Sequence, residues 1–173
     1  MTAAIEVPER FNAAAHFLDR HVAEGRGGRT AFRFDGRAVT YGEIALRANR
    51  LGNALRSRGV QMEQRVLLAL PDRPEFAEAF WGAMKIGAVP VPVSESLPAE
   101  ELAFLLADSR ARAVVASETA AAAMLLPAAK PTFSSSAMSS TPGKRAVASQ
   151  EPSVLALSTT TIRSAGRRCF ASA

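Results

Sequence analysis

Residues 65–93 of this 173-residue chain read RVLLALPDRPEFAEAFWGAMKIGAVPVPV and decide its fold. The stretch opens with Arg65–Leu70, an apolar run of the kind found in buried strands. Pro74 follows at a position where the first turn of a helix tolerates proline. Apolar residues then recur at helical spacing until Gly87, which predicts a helix that packs on the preceding strand. The pattern is therefore a strand followed by a helix.

The sequence beyond this helix continues the alternation. Val89–Val93 is extended, although Pro90 and Pro92 cannot donate backbone hydrogen bonds, which restricts this strand to a sheet edge or to an irregular segment. A further helix is predicted over 98–107 and a short strand over 112–116. The order βαβαβ predicts an α/β fold with a doubly wound, mainly parallel sheet and helices on both faces.

Upstream of this region, a β-hairpin leads into another helix. Asp35-Gly36 separates two short alternating segments, which is a strong signal for a two-residue hairpin turn. Thr40 and Glu43 stand three residues apart, as in a capping box, so a helix is expected to begin here. Gly59 supplies the left-handed residue that ends this helix.

The first helix is predicted to run from a cap at Asn12 to the glycine-rich run Gly25–Gly28. His16 and His21 lie on or beside its apolar face. Without a carboxylate or cysteine at ligand spacing, they are expected to pack or to face solvent rather than to bind a metal. The glycine-rich run could suggest a phosphate loop, but such a loop follows a strand and precedes a helix. Because the order is reversed here, the run is interpreted as a helix-to-strand turn.

Two segments together resemble the adenylate-forming superfamily, which includes acyl-CoA synthetases, luciferases and peptide-synthetase adenylation domains. Thr40–Ile44 (TYGEI) is similar to its first core segment, and Met84–Val93 (MKIGAVPVPV) is similar to its second. Residues 11–118 are also similar in detail to the benzoate and hydroxybenzoate-CoA ligase branch. The matching pieces include Ala48–Leu55 (ANRLGNAL) and Asp108–Arg112 (DSRAR).

The resemblance implies the N-terminal part of a large AMP-binding domain, which a small C-terminal lid completes in the full-length family. In that family ATP and a carboxylic acid, here of the benzoate type, give an acyl-adenylate and pyrophosphate. The thiol of coenzyme A then displaces AMP. ATP, Mg²⁺, coenzyme A and a small aromatic acid are therefore the cofactors and partners that the resemblance implies, without nucleic acid or membrane.

No catalytic, cofactor-binding or metal-binding residue can be assigned in this chain. The family's phosphate loop is rich in Ser, Thr and Gly and ends in Pro-Lys-Gly, so that backbone amides and a lysine surround the ATP phosphates. Ser139–Lys144 contains similar letters in another order, and Val154–Thr161 lacks the glycines and the lysine. Phe80 and Trp81 could suggest an aromatic acyl pocket, but their helical spacing favours the hydrophobic core. We therefore expect the chain alone to be inactive.

The composition changes near residue 125, which divides the chain into a ligase-like portion, 1–125, and a low-complexity tail, 126–173. The tail is expected to be mostly disordered, apart from a possible short strand at Val154–Leu157. Five of the 21 Lys and Arg residues but only one of the 16 acids follow Lys130, so the residues after Lys130 carry four of the five net positive charges. The balanced charge of the remainder is not typical of a nucleic-acid-binding surface.

The chain is expected to be cytoplasmic. Cys169 is its single cysteine, the N-terminal MTAAIEVPER lacks the features of a signal peptide, and no apolar run is long enough to span a bilayer. Three interpretations remain open: the N-terminal part of an aryl-acid CoA ligase, a non-catalytic truncated or frame-shifted product, and a small interaction module with a basic tail. The abrupt change of composition favours the second.

Overall fold

The computed structural model describes residues 8–125 and the backbone of two later strands. The helices are α1 (Arg20–Ala23), α2 (Tyr41–Ser57), α3 (Pro74–Lys85), α4 (Ala99–Ser109) and α5 (Glu118–Leu125), and a π-helical turn (Ala15–Asp19) leads into α1. The strands are β1 (Thr30–Phe34), β2 (Arg37–Thr40), β3 (Arg65–Ala69), β4 (Val89–Val93), β5 (Ala113–Ser117), β6 (Ser153–Ser158) and β7 (Thr161–Arg163). Among the described helices, none combines the length and the apolar character needed to cross a bilayer.

Five strands form one sheet in the order β4-β3-β5-β6-β7. β3 is parallel to both β4 and β5, β6 is parallel to β5, and β7 is antiparallel to β6. The prediction of a mainly parallel α/β sheet is confirmed, and the proline-containing β4 lies at an edge of the described sheet. β1 and β2 form a separate antiparallel hairpin.

Alternate residues of the central strands face two hydrophobic cores, one on each side of the sheet. On one side, Val66 and Leu68 of β3 pack with Leu55 of α2 and with α3. On the other side, Leu67 of β3 packs with Leu102 of α4 and with α5. Because helices cover both faces, Val66–Ala69 of β3 and Ala113–Ala116 of β5 are all apolar and fully buried, as the sequence indicates.

Helices α2 and α3 approach each other at a pair of glycines. A Cβ atom added to Gly52 would lie 2.9 Å from the carbonyl oxygen of Gly82. A Cβ atom added to Gly82 would lie 2.8 Å from the carbonyl oxygen of Ala48. The two backbones are therefore in contact without intervening side chains, and both glycines are buried.

The predicted hairpin and capping box are both present. Asp35 and Gly36 have φ angles of 49° and 71°, as a two-residue turn with two left-handed residues requires. The Glu43 amide donates to Oγ1 of Thr40 at 3.2 Å, and the Thr40 amide donates to Oε2 of Glu43 at 2.9 Å. The hydrogen bond from the Thr40 amide lowers the pKa of Glu43 below its ordinary value. The hairpin turn and the start of α2 are therefore each determined by residues that are close together in the sequence.

The first helix begins at the predicted cap, because Oδ1 of Asn12 accepts from the amides of Ala14 and Ala15. The π-helical turn inside it was not predicted. His21 stacks on Tyr41 with ring centroids 4.0 Å apart, and His16 contacts two neighbouring phenylalanines. Both histidines pack against rings, as expected.

Two elements are missing from the sequence prediction. Helix α5 occupies an alanine-rich run without periodicity, where alanine's high intrinsic helix propensity and a cap from Ser117 suffice. The strand β7 was also not predicted. The possible strand at Val154–Leu157 is confirmed as β6. The expectation of disorder for the rest of 126–173 falls outside the described residues, and the domain boundary at 125 stays a prediction.

Candidate functional site

The carboxyl ends of β3 and β5 lie side by side at one edge of the sheet, with Ala69 opposite Ala116. The chain leaves β3 for α3 on one face, whereas it leaves β5 for α5 on the other face. In open α/β sheets, ligands bind in the crevice where adjacent strands connect to opposite faces. This switch-point edge, formed by residues 70–73 after β3 and 117–118 after β5, is the candidate functional site.

The β3 side of the edge is a tight turn into α3. The Arg73 amide donates to the carbonyl oxygen of Pro71 at 2.7 Å, and Asp72 and Arg73 are exposed. Arg73 is the N-cap of α3, its backbone is extended, and no side chain caps this helix. The start of α3 therefore presents two solvent-exposed charges of opposite sign, which is an arrangement suited to polar ligands.

The β5 side is occupied by a helix cap. Oγ of Ser117 accepts from the Ala120 amide at 3.2 Å, so this hydroxyl holds the start of α5. Glu118 is exposed in the first turn of the same helix. β6 lies next to β5, with Leu157 opposite Ser117, so the carboxyl end of β6 reaches the same edge.

Helix α3 carries two acidic side chains near the α2 interface. Glu78 accepts from Nη1 of Arg47 at 2.8 Å, and both side chains are partly buried. Burial raises the pKa of Glu78 above its ordinary value of 4.5, although Arg47 donates to it. One turn earlier, Oε2 of Glu75 is buried and lacks a hydrogen-bond partner within the described part of the chain. No sequence signal links these groups, because the pair depends on how α2 meets α3.

A separate open cleft of about 360 Å³ lies at the opposite end of α3. Its floor is Lys85, whose Nζ donates to Oδ1 of Asp19 at 2.5 Å and to Oδ1 of Asn49 at 2.6 Å. Asn12 closes one side, with Nδ2 donating to the carbonyl oxygen of Met84 at 2.8 Å. Because these polar groups bind one another, the cleft joins the first helix to α2 and α3, and we assign it a structural role.

The remaining sequence hypotheses concern residues away from the switch-point edge. Phe80 packs on the core between α3 and the sheet, and Trp81 packs on the core around the first helix, so both side chains contact the hydrophobic cores. The glycine-rich run is a helix-to-strand turn, in which Gly27 accepts from the Gly42 amide at 2.8 Å. Ser139–Lys144 lies outside the described residues, as do residues 159–160. Within the described residues, no three potential metal-ligating side chains come together.

Comparisons with known proteins agree with this architecture. The family model described as "AMP-binding enzyme" matches residues 19–160, a range that includes β6. The 4-hydroxybenzoate–CoA/benzoate–CoA ligase of Rhodopseudomonas palustris is 46% identical over 107 residues, which are 62% of this chain and 20% of that protein. The benzoate–CoA ligase of Thauera aromatica is 42% identical over 116 residues, covering 66% of this chain and 22% of that protein.

A solved structure shows the same relation. The benzoate CoA ligase from Burkholderia xenovorans LB400 superposes with a TM-score of 0.61 and 38% sequence identity. The match covers 66% of this chain and 23% of the ligase. The chain thus spans about a fifth of the length of the curated relatives it matches.

Proposed function

Because the chain belongs to the AMP-binding enzyme family, we propose that it is the N-terminal part of an acid-CoA ligase that activates an aromatic acid of the benzoate type. The observation that carries this proposal is the 46% identity to the Rhodopseudomonas palustris ligase. The ligase-like fold of residues 65–117 supports it. We also propose that the protein acts in the cytoplasm, on small molecules rather than on nucleic acid.

The proposed reaction has two steps. A carboxylate oxygen of the acid attacks the α-phosphorus of ATP and pyrophosphate leaves, which gives an acyl-adenylate. The thiol of coenzyme A then loses its proton to solvent, its sulfur attacks the acyl carbon, and AMP leaves as the bond between the acyl carbon and the phosphate oxygen breaks. The first step builds up negative charge on the leaving pyrophosphate, so it needs backbone amides, a cation such as Mg²⁺ and a lysine at the reacting phosphates.

The switch-point edge is the part of this chain that we place nearest to that chemistry. The carboxyl ends of β3, β5 and β6 meet there, and the turn 70–73 and the cap at Ser117 shape its two sides. Ser117 serves as a positioning residue for α5. The residues after Ser158 are Thr159, Thr160 and Thr161, which offer hydroxyls but neither the glycines nor the lysine of a phosphate loop.

For this reason we propose that the 173-residue chain alone does not catalyse the first step. The test is to incubate the purified chain with ATP, Mg²⁺ and benzoate or 4-hydroxybenzoate, and to measure pyrophosphate release. The Rhodopseudomonas palustris ligase is the positive control. No acid-dependent release is expected from the chain, and measurable turnover would refute the proposal of inactivity.

A chimera tests the family assignment separately. Residues 11–118 would replace the aligned segment of the Rhodopseudomonas palustris ligase, which supplies the remaining catalytic elements. Formation of benzoyl-CoA by the chimera would support our proposal that this segment belongs to a benzoate-type ligase. A chimera that folds with native-like circular dichroism but makes no benzoyl-CoA would contradict it.

The second candidate is a non-catalytic, frame-shifted product, which the change of composition after Lys130 favours. The encoding DNA distinguishes the two, because a frame shift predicts a Ser/Thr/Gly-rich loop ending in Pro-Lys-Gly in another frame past residue 120. If neither alternative frame encodes such a loop, the frame-shift hypothesis is wrong. The third interpretation, an interaction module, requires that deletion of residues 131–173 abolish partner binding.

A further inference from the structure

Among the described residues, no strand pairs with the side of β4 that faces away from β3, and this free edge has an unusual arrangement of backbone donors. In a parallel strand, the N–H and C=O of one residue point to the same side, and successive residues alternate between sides. The Val89 amide donates to the carbonyl oxygen of Gln64 at 2.9 Å, and Val89 is the register partner of Arg65. The backbone groups of Val89, and by alternation those of Val91 and Val93, therefore point toward β3.

It follows that the backbone groups of Pro90 and Pro92 point away from β3. β4 is the terminal strand of the described sheet, so these two residues face its free edge. Proline has no N–H group. The edge consequently offers the carbonyl oxygens of residues 90 and 92 but no donor at either position. The prolines cost the β3–β4 ladder nothing, because all three inward-facing positions are valines.

A strand that pairs with an edge needs donors and acceptors in alternation. An incoming strand would find acceptors alone along the five residues of β4, and its own carbonyl oxygens would lose water without gaining a partner. The remainder of β4 favours pairing, since valine has high β propensity, the strand carries no charge and Val89 is 46% exposed. The prolines are therefore the feature of this edge that opposes pairing.

We propose that Pro90 and Pro92 close the β4 edge to strand addition by a second copy of the chain. The closure is specific to this edge and is independent of any catalytic activity. It depends on both prolines occupying outward positions, which the alternation along β4 assigns to them.

The first test measures the outward orientation directly. The full-length double variant Pro90→Thr/Pro92→Thr restores both N–H groups with a polar residue of high β propensity. In dilute solution, hydrogen exchange should be at least about tenfold faster at amides 90 and 92 than at amides 91 and 93, because only the latter pair bond to β3. Equal protection of all four amides in the dilute monomer would overturn the proposal.

The second test measures association. Sedimentation velocity over a concentration series should show more self-association for Pro90→Thr/Pro92→Thr than for the wild type, and amides 90 and 92 should become protected as the concentration rises. The matched control, Pro71→Thr/Pro98→Thr, makes the same change of composition outside the strand and should sediment like the wild type. A double variant at 90 and 92 that is folded, by circular dichroism, and associates no more than this control would refute the closure.

Discussion

Replacement of Gly82 by alanine should destabilise the fold, although alanine is the better helix former. The added Cβ would lie 2.8 Å from the carbonyl oxygen of Ala48, 3.2 Å from Cβ of Leu51 and 3.3 Å from the amide nitrogen of Gly52. The nearest of these atoms is backbone, so the contact can be relieved only by moving α2 away from α3. That movement disturbs the packing of both helices on the sheet.

The magnitude follows from two opposing terms. Overpacking a close contact costs about 1–3 kcal/mol, and the severity of a contact with helix backbone places Gly82→Ala in the upper part of that range. The gain in helix propensity from glycine to alanine returns about 1 kcal/mol. A net loss of about 1–2 kcal/mol corresponds to a decrease of roughly 0.5–1 M in the urea midpoint for a small domain.

Urea unfolding followed by circular dichroism measures this loss. Gly28→Ala is the matched control, because a Cβ at Gly28 would meet no atom within 4 Å and its φ is not in the left-handed region. The control should unfold at the wild-type midpoint or slightly above it, since alanine reduces the entropy of the unfolded chain. If Gly82→Ala had the same urea midpoint as Gly28→Ala, the backbones of α2 and α3 would not be in contact at Gly82, and the reasoning would be wrong.

Two further stability predictions concern other contacts. Thr40→Ala removes the side-chain acceptor of the capping box and should lower the free energy of unfolding by about 1 kcal/mol, whereas Thr119→Ala on an exposed face should leave the urea midpoint unchanged; an unaltered midpoint for Thr40→Ala would contradict the cap. Glu78→Gln should change the pH dependence of stability: because burial raises the native pKa of Glu78 above 4.5, the native state holds a proton that the unfolded state has released, so this group makes stability fall as pH rises from 4.5 through the native pKa. The urea midpoint should therefore fall more between pH 4 and pH 7 in the wild type than in Glu78→Gln, which has no carboxyl group to titrate at this position. Parallel midpoint-versus-pH curves for the two proteins would show that Glu78 is not the group responsible.

The features predicted from sequence are those that neighbouring residues determine. Asp35-Gly36 and the Thr40–Glu43 capping box act over two to four residues, so their chemistry can be recognised without knowing the rest of the fold. The apolar run Val66–Ala69 of β3 was also recognisable, because a strand segment that is covered on both faces favours apolar residues at successive positions.

The features that were missed depend on tertiary contacts or lack a periodic pattern. Helix α5 has no periodicity, because alanine fills both its buried and its exposed positions. The approach of Gly52 to Gly82 and the pairing of Arg47 with Glu78 arise only when α2 packs on α3. The candidate site was missed for the same reason, since the proximity of residues 70–73 to Ser117 follows from strand order, which no local pattern specifies.

The strand order also has a consequence for the chain during its synthesis. Chains are made from the N-terminus, and units whose contacts are complete can fold while synthesis continues. β3, β4 and β5 lie within Arg65–Ser117, whereas their neighbour β6 begins only at Ser153. A nascent chain that ends after α5 therefore has a three-stranded sheet with two edges, β4 and β5. The prolines of β4 oppose pairing at the first edge, whereas the backbone groups of β5 stay unpaired until β6 is synthesised. We therefore expect the ribosome-bound intermediate to be prone to aggregation at the unpaired edge of β5, and a chaperone that binds unpaired strands would act there.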